Sequence, residues 1–439
     1  MNFEEYNINL TDKATLVSIV CSNFEFHNSL EQTQNSLQEL RELLTTLGVE
    51  GGSEHFQNKN KVDPATMLGE GKLQEIANIA KQEGSNLLVF DFELTASQMR
   101  NIKKITNLEV IDRCMVILEI FARHARTKEA KIQIEISRLN YMLPRLQSLW
   151  THFTRQKGGI GLKGEGEQQL ELDRRIIREK IAFYKKQLIE IEKTRKEQRK
   201  RRENHVVTAA LVGYTNAGKS TLMNKLCKVN VLAENKLFAT LDSTFRTLNP
   251  DSKPPMVMID TVGFIQNLPN TLVEGFKTTL ESALEADLLV IVCDLSDPNY
   301  KKHLRVTQEV LGELHIEDKD QIVVFTKKDQ IKDPFLPKIV MRNLQASFLV
   351  SSHNEQDIKD LREYIINYFL SKQSHFDLFI PYEDGQAQSN LLANANIMNT
   401  HHHEKGTYFR VRIPGFIFNK LGLNKYVLAP NDPGQSFLN

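Results

Sequence analysis

The sequence predicts a multidomain α/β protein, and three patterns predict it. Strand-length apolar runs alternate with helical segments in two separate blocks, two heptad-spaced helices stand between those blocks, and a shorter β-rich segment closes the chain. A chain of 439 residues also exceeds what one hydrophobic core usually fills. The expected order is an N-terminal α/β domain over 1–130, then a long antiparallel helical hairpin with a basic linker helix over 131–203. A doubly wound domain over 204–373 and a small α+β domain over 374–439 complete it.

In the first block, Ala14 to Cys21 reads as a strand and Ser29 to Leu47 as a helix. Lys72 to Lys81 (helix), Asn86 to Asp91 (strand), Ser97 to Lys104 (helix) and Leu108 to Ile111 (strand) follow, an alternation that argues for a parallel sheet. The hairpin is read from Ile132, Ile136, Leu139, Leu143, Leu146 and Trp150, spaced 4, 3, 4, 3, 4, and from Ile177, Ile181, Tyr184, Leu188 and Ile191, spaced 4, 3, 4, 3. Pro144 should bend the first helix. Trp150 and Phe153 are expected to pack in the hairpin. Its tip, Arg155 to Gly166, holds five glycines and three basic residues, which suits close approach to RNA.

Beyond Ile191 the helix loses its apolar face. From Arg174 to Glu203 there are 13 Lys/Arg against 5 Asp/Glu, on a chain whose net charge is only +1. A local basic stripe on a neutral protein suits either a solvated linker or an arm lying on a polyanion. In the second block Val206 to Val212, Met256 to Ile259, Leu288 to Cys293, Ile322 to Phe325 and Phe348 to Val350 read as buried parallel strands. This block ends near Ser371.

Composition narrows the class. An apolar fraction of 41% and a charged fraction of 25% are those of a soluble globular protein. No apolar run of spanning length occurs, and Met1 is followed by Glu4 and Glu5 rather than by a leader pattern. A cytoplasmic monomer without stable membrane insertion is expected, peripheral membrane association being left open. Cys21, Cys114, Cys227 and Cys293 lie far apart and read as reduced, buried thiols. His401-His402-His403 reads as a solvated turn rather than a metal site.

The chemistry is concentrated in the second block. Gly213-Tyr214-Thr215-Asn216-Ala217-Gly218-Lys219-Ser220, followed by Thr221, fits G-x-x-x-x-G-K-[ST] between a strand and a helix. Its amides would cradle phosphates, Lys219 would reach the β- and γ-phosphates, and Ser220 would offer a hydroxyl to Mg²⁺. Asp260-Thr261-Val262-Gly263 reads as a D-x-x-G switch whose glycine N–H senses the γ-phosphate. Phe238-Ala239-Thr240-Leu241-Asp242 precedes it, and Thr240 is the candidate second Mg²⁺ ligand, Thr244 ranking lower. Lys219, Thr240 and Gly263 are the candidate catalytic residues.

Thr326-Lys327-Lys328-Asp329 closes a strand, and a carboxylate there can accept from both N1–H and the 2-amino group of guanine, which adenine cannot offer. Val350-Ser351-Ser352 stands where a base-contacting loop belongs. Together these motifs predict GTP as substrate. Phe264 stands where a water-orienting glutamine would follow the switch, so slow intrinsic hydrolysis is expected. Arg246 is a weak candidate for an arginine finger.

These motifs, with Asp112-Arg113, Ile120-Phe121-Ala122, Pro144-Arg145-Leu146 and the glycine-rich run Gly158 to Arg175, resemble the HflX family of GTPases over about residues 60–420. Glu165 and Gln168 depart from that family's proline and threonine, and Thr326 departs from the asparagine of N-K-x-D. The resemblance implies binding to the large ribosomal subunit through its RNA, ribosome-stimulated GTP hydrolysis, and a role in splitting or rescuing ribosomes. Some members also bind ATP in the N-terminal domain, for which Gly69-Glu70-Gly71-Lys72 is a candidate, although a helix-initiating turn is the favoured reading. Two alternatives stand beside it: an RNA-binding module with structural nucleotide, and an RNA-modification or ribosome-assembly GTPase.

Overall fold

The computed structural model describes residues 12–22, 28–146, 165–202, 206–228, 238, 244–249, 252–265, 285–314, 316, 318–343 and 347–429, without the side chains of 165–169, 195–202 and 416. Its chain divides into two compact units: Met1–Ile191 with Glu234–Asp242 and Ile265–Thr279, and Glu192–Ala233 with Ser243–Phe264 and Leu280–Asn439.

The first unit contains a four-stranded, all-parallel sheet in the order β2-β1-β3-β4, built from β1 (Lys13–Val20), β2 (Glu50–Asn58), β3 (Leu87–Phe90) and β4 (Glu109–Asp112). Helices α1 (Leu30–Leu47), α2 (Glu70–Gln82), α3 (Ala96–Thr106) and α4 (Arg113–His124) connect and follow the strands. Each start has a local cause where a side-chain cap is present. Ser29 accepts from the Gln32 amide, Thr95 and Gln98 form a capping box, and Asp112 accepts from the Met115 amide. Leu16, Val17 and Ile19 of β1 and Leu88, Val89 and Phe90 of β3 are fully buried, as strands covered on both faces must be.

Gly69 is the N-cap of α2, and Lys72 pairs with Glu75 at 2.7 Å. The glycine pair is therefore a helix-initiating turn, and this geometry gives no support to ATP binding there.

Helix α5 (Lys128–Met142) passes into a 3-10 turn over Leu143–Arg145, where Pro144 removes an amide donor. Helix α6 (Glu165–Arg202) carries the second heptad seam. The two seams meet: Ile132, Ile136, Leu139, Leu146, Ile177 and Ile181 form one buried cluster. Trp150, Phe153 and most of the glycine-rich tip lie outside the described residues.

The second unit contains a six-stranded sheet in the order β10-β9-β8-β5-β7-β6, formed by β5 (Val207–Gly213), β6 (Thr244–Asn249), β7 (Met256–Asp260), β8 (Leu288–Asp294), β9 (Gln321–Thr326) and β10 (Ser347–Leu349). All pairs are parallel except β6 with β7. Helices α7 (Lys219–Leu226), α8 (Tyr300–Glu313), α9 (Leu336–Asn343) and α10 (Glu355–Ser371) complete the doubly wound block. The first strand in sequence, β5, sits between β8 and β7, so the chain reverses its winding there and leaves a crevice at the strands' carboxyl ends.

The closing segment is an antiparallel sheet in the order β11-β13-β12, from β11 (Gln373–Pro381), β12 (Asn396–His403) and β13 (Gly406–Pro414). Helices α11 (Gly385–Asn394) and α12 (Gly415–Lys420) pack on one face through Leu391, Ile417 and Phe418. One expectation fails here. His401 to His403 are not a turn but the end of β12, paired with Tyr408, Thr407 and Gly406. Among the described residues no group of histidine, cysteine and acidic side chains could hold a metal ion, and no helix is long and apolar enough to cross a membrane.

Candidate nucleotide site

The P-loop leaves β5 at Gly213, whose φ of +151° and close approach to the Val292 carbonyl exclude a side chain; an added Cβ would lie 2.1 Å from that oxygen. Asn216 (φ +59°) and Gly218 (φ +87°) are both left-handed, and Gly218 is the N-cap of α7. These turns wrap the loop around the Lys219 ammonium, which donates to the carbonyls of Gly213 (3.0 Å) and Tyr214 (2.7 Å). Tyr214 stacks flat on His303 of α8, ring centroids 3.9 Å apart. Ala217 is buried and Thr221 lies in the first turn of α7.

Two straps hold the loop from outside. The Thr215 amide donates to the Phe264 carbonyl at 2.7 Å, and the Phe264 amide returns to the Gly213 carbonyl at 3.0 Å. The Phe264 ring is buried, so this residue acts through its backbone. On the other side the Thr326 hydroxyl donates to the Ala217 carbonyl at 2.7 Å. The threonine that departs from N-K-x-D thus ties the base loop directly to the phosphate loop.

The switch strand ends against the same loop. Ser220 donates to Asp260 Oδ2 at 2.7 Å, and Thr261 donates to the Leu211 carbonyl at 2.6 Å. Val262 is buried. A Cβ added at Gly263 would stand 2.8 Å from Thr215 Cα and 2.9 Å from Lys219 Nζ.

At the base end, Ser351 donates to Asp329 Oδ1 at 2.6 Å, and this hydroxyl holds the Asp329 carboxyl below its usual range. Lys327 is left-handed (φ +54°) and pairs with Asp294 at 2.7 Å. Lys328 pairs with Asp357 at 3.0 Å, and Asp357 also accepts the Ser351 amide at 2.9 Å. Val350 is buried, with its amide on the Phe325 carbonyl, and Ser352 is partly exposed beside it.

Phe238 is buried with its ring edge-on to Phe121 of α4, centroids 4.6 Å apart, in the first unit. Ala239, Thr240, Leu241 and Asp242 lie outside the described residues. Thr244 opens β6, with its hydroxyl near the Met223 sulfur, and Arg246 lies mid-strand. Sequence reading missed Asp294, His303 and Asp357. Of these only Asp294 left a signal, an acid ending the apolar run of β8.

Two observations fit the groups the motifs imply. Burial pulls the Lys219 ammonium down to about 8, and the Thr215 hydroxyl is buried with no hydrogen-bond partner among the described residues. An anion accepting from both would satisfy each. The Ser220 hydroxyl and Asp260 carboxylate form an all-oxygen pair, the donor type a hard divalent cation takes.

The chain is similar to known proteins along most of its length. The family models described as "GTP-binding GTPase N-terminal", "GTP-binding GTPase Middle Region" and "50S ribosome-binding GTPase" match residues 34–122, 124–202 and 208–327. The GTPase HflX of Alkalihalophilus pseudofirmus is 42% identical over 76% of this chain and 78% of its own. That of Escherichia coli is 36% identical over 88% and 91%. This chain belongs to the HflX family of GTPases. As an HflX-family member it binds and hydrolyses GTP. A looser likeness is a GTP-binding protein from Sulfolobus solfataricus in complex with GDP, at a TM-score of 0.43 and 24% identity over 81% of this chain and 98% of that one. Nothing further rests on it.

Proposed function

We propose that this GTPase acts on the large ribosomal subunit, binding its RNA in the GTP form and leaving after hydrolysis, in the service of ribosome splitting or rescue. The match to the 50S ribosome-binding GTPase description over residues 208–327 supports the partner, and the closeness of Gly263 to Thr215 and Lys219, which leaves no room for a Cβ, supports the switch.

In this reading Lys219 neutralises charge developing between the β- and γ-phosphates, and loop amides orient the triphosphate. The Gly263 amide reports the γ-phosphate because its Cα already lies against the P-loop. Asp329, held ionised by Ser351, selects guanine. Ser220 and Thr240 would hold Mg²⁺, with Asp260 behind Ser220, and the cation would supply further charge neutralisation at the phosphates. Phe264 cannot orient water with its side chain, which makes basal hydrolysis slow and leaves acceleration to the partner.

GTP turnover, measured with and without large subunits at two salt concentrations, tests this. A slow basal rate that rises strongly with subunits, and less at high salt, is expected. A rate that subunits leave unchanged overturns the ribosomal reading while leaving the GTP site intact.

A further inference from the structure

Among the described residues helices cover one face of the C-terminal sheet, and the opposite face is met only at one end, where Gln373 and Asn396 donate to the Lys253 carbonyl. Leu378, Ile380, Phe409, Val411 and Ile413 point to the helices, and the register fixes what the other face carries. Phe379, Tyr408 and His401 form one cross-strand row, Asp377, Arg410 and Asn399 a second, and His375 and Arg412 share a third. Successive rows lie about 7 Å apart along the strands.

Two rings of the first row are in contact, Phe379 and Tyr408 lying 4.6 Å apart at 44°, and His403, which pairs with Gly406 at the strand end, meets both edge-on at 6.4 and 5.9 Å. Phe379 and Tyr408 are partly exposed, and His401 and His403 are exposed. The cations differ in how far they are neutralised. Arg410 is paired with Asp377 at 2.8 and 3.0 Å. The Nε and Nη2 atoms of Arg412 lie 3.2 and 3.1 Å from His375 Nε2. Among the described residues Arg412 pairs with no carboxylate.

An outer sheet face serving only solubility has no call for an aromatic row on the same face as a guanidinium, two rows or about 14 Å away, that lacks a counter-charge. We propose that this face binds single-stranded RNA, with bases stacking on Phe379 and Tyr408 and a phosphate meeting Arg412. Every base has a π-face, so the surface would be tolerant of sequence. Charge favours RNA over an acidic peptide only together with the rings, which a carboxylate-rich chain would not use. The proposal adds a second RNA contact to the ribosomal reading above but does not depend on it, because free RNA suffices to test it.

The test titrates a fluorescent 12-nucleotide polyuridine RNA with the full chain at low salt. Binding should weaken about tenfold or more in Phe379→Ala and in Tyr408→Ala, and survive in Tyr408→Phe, which keeps the ring. Arg412→Gln should weaken binding and flatten its salt dependence. Basal GTP turnover and thermal stability, measured in parallel, should stay at the parent's values. No binding by the parent chain, or equal binding by the alanine variants, would each overturn it. Alanine variants that keep their stimulation by large subunits but lose no RNA affinity would sink this proposal and leave the ribosomal one standing.

Discussion

A methyl group at position 263 has nowhere to go. Gly263→Ala would press on Thr215 Cα and Lys219 Nζ at under 3 Å, displacing either the switch or the ammonium. Single-turnover GTP hydrolysis should fall on the order of 10²-fold, the usual scale for losing one aligned electrostatic group. Lys219 gives a second prediction. Burial holds its pKa at about 8, below the ordinary 10.5 of a lysine, so without nucleotide its charged form is penalised and stability rises as pH climbs through that window. A bound phosphate restores the charge. Calorimetry at pH 8 in buffers of different ionisation enthalpy should therefore show uptake of about half a proton per GDP bound. At this scale the motif side chains were legible because their spacing is local. The roles of Phe264 and Thr326 were not, since each depends on a backbone atom brought near by folding: the Gly213 carbonyl and Thr215 amide for one, the Ala217 carbonyl for the other.

Elements were legible in proportion to how strongly burial patterns them. β3, buried throughout, and β1, β5, β8 and β9, each buried at all but one residue, stand out as apolar runs. β2 escaped notice because Glu50–Asn58 is an edge strand with two glycines and only partial burial. α4 escaped because every residue from Arg113 to Phe121 is buried, the polar Arg113 and Glu119 included, so polarity does not mark an outer face there. His401 to His403 read as a turn because three polar residues in a row give no alternation, yet the ladder to β13 makes them a strand. The junction of α5 with the 3-10 turn shows what an element needs beyond periodicity. The Tyr141 hydroxyl donates to buried Asp112 at 2.8 Å, and Arg145 lies over the Tyr141 ring while bonding to the Leu94 carbonyl at 2.6 Å. Asp112 also takes the amides of Leu94 and Met115. Tyr141→Phe should destabilise the N-terminal unit by about 1–3 kcal/mol, read from amide hydrogen exchange in α4 and α5.

At the scale of the whole molecule, the two units have separate cores, and the P-loop, Asp260–Gly263 and the base-end residues belong to the second. Heat should therefore unfold the chain in more than one step. GDP at 100 times its Kd should raise the stability of the nucleotide-binding unit by about 2.7 kcal/mol. The other calorimetric transition should stay in place; a common shift of both would show that the units unfold as one. The thiols extend this point. All four are free, with Cys21 and Cys114 in the first unit and Cys227 and Cys293 in the second. Burial holds Cys114 well above the ordinary thiol range, and pushes Cys227 up to about 11 and Cys293 up to about 12. At neutral pH the reactive thiolate of Cys227 is then a fraction on the order of 10⁻⁴. Cys227 is only partly buried, whereas Cys114 and Cys293 are buried, so slow alkylation of the native chain is expected at the latter two until the surroundings of each open. The protein thus carries built-in reporters in each half, from which the opening rate of either can be read by mass without adding a label.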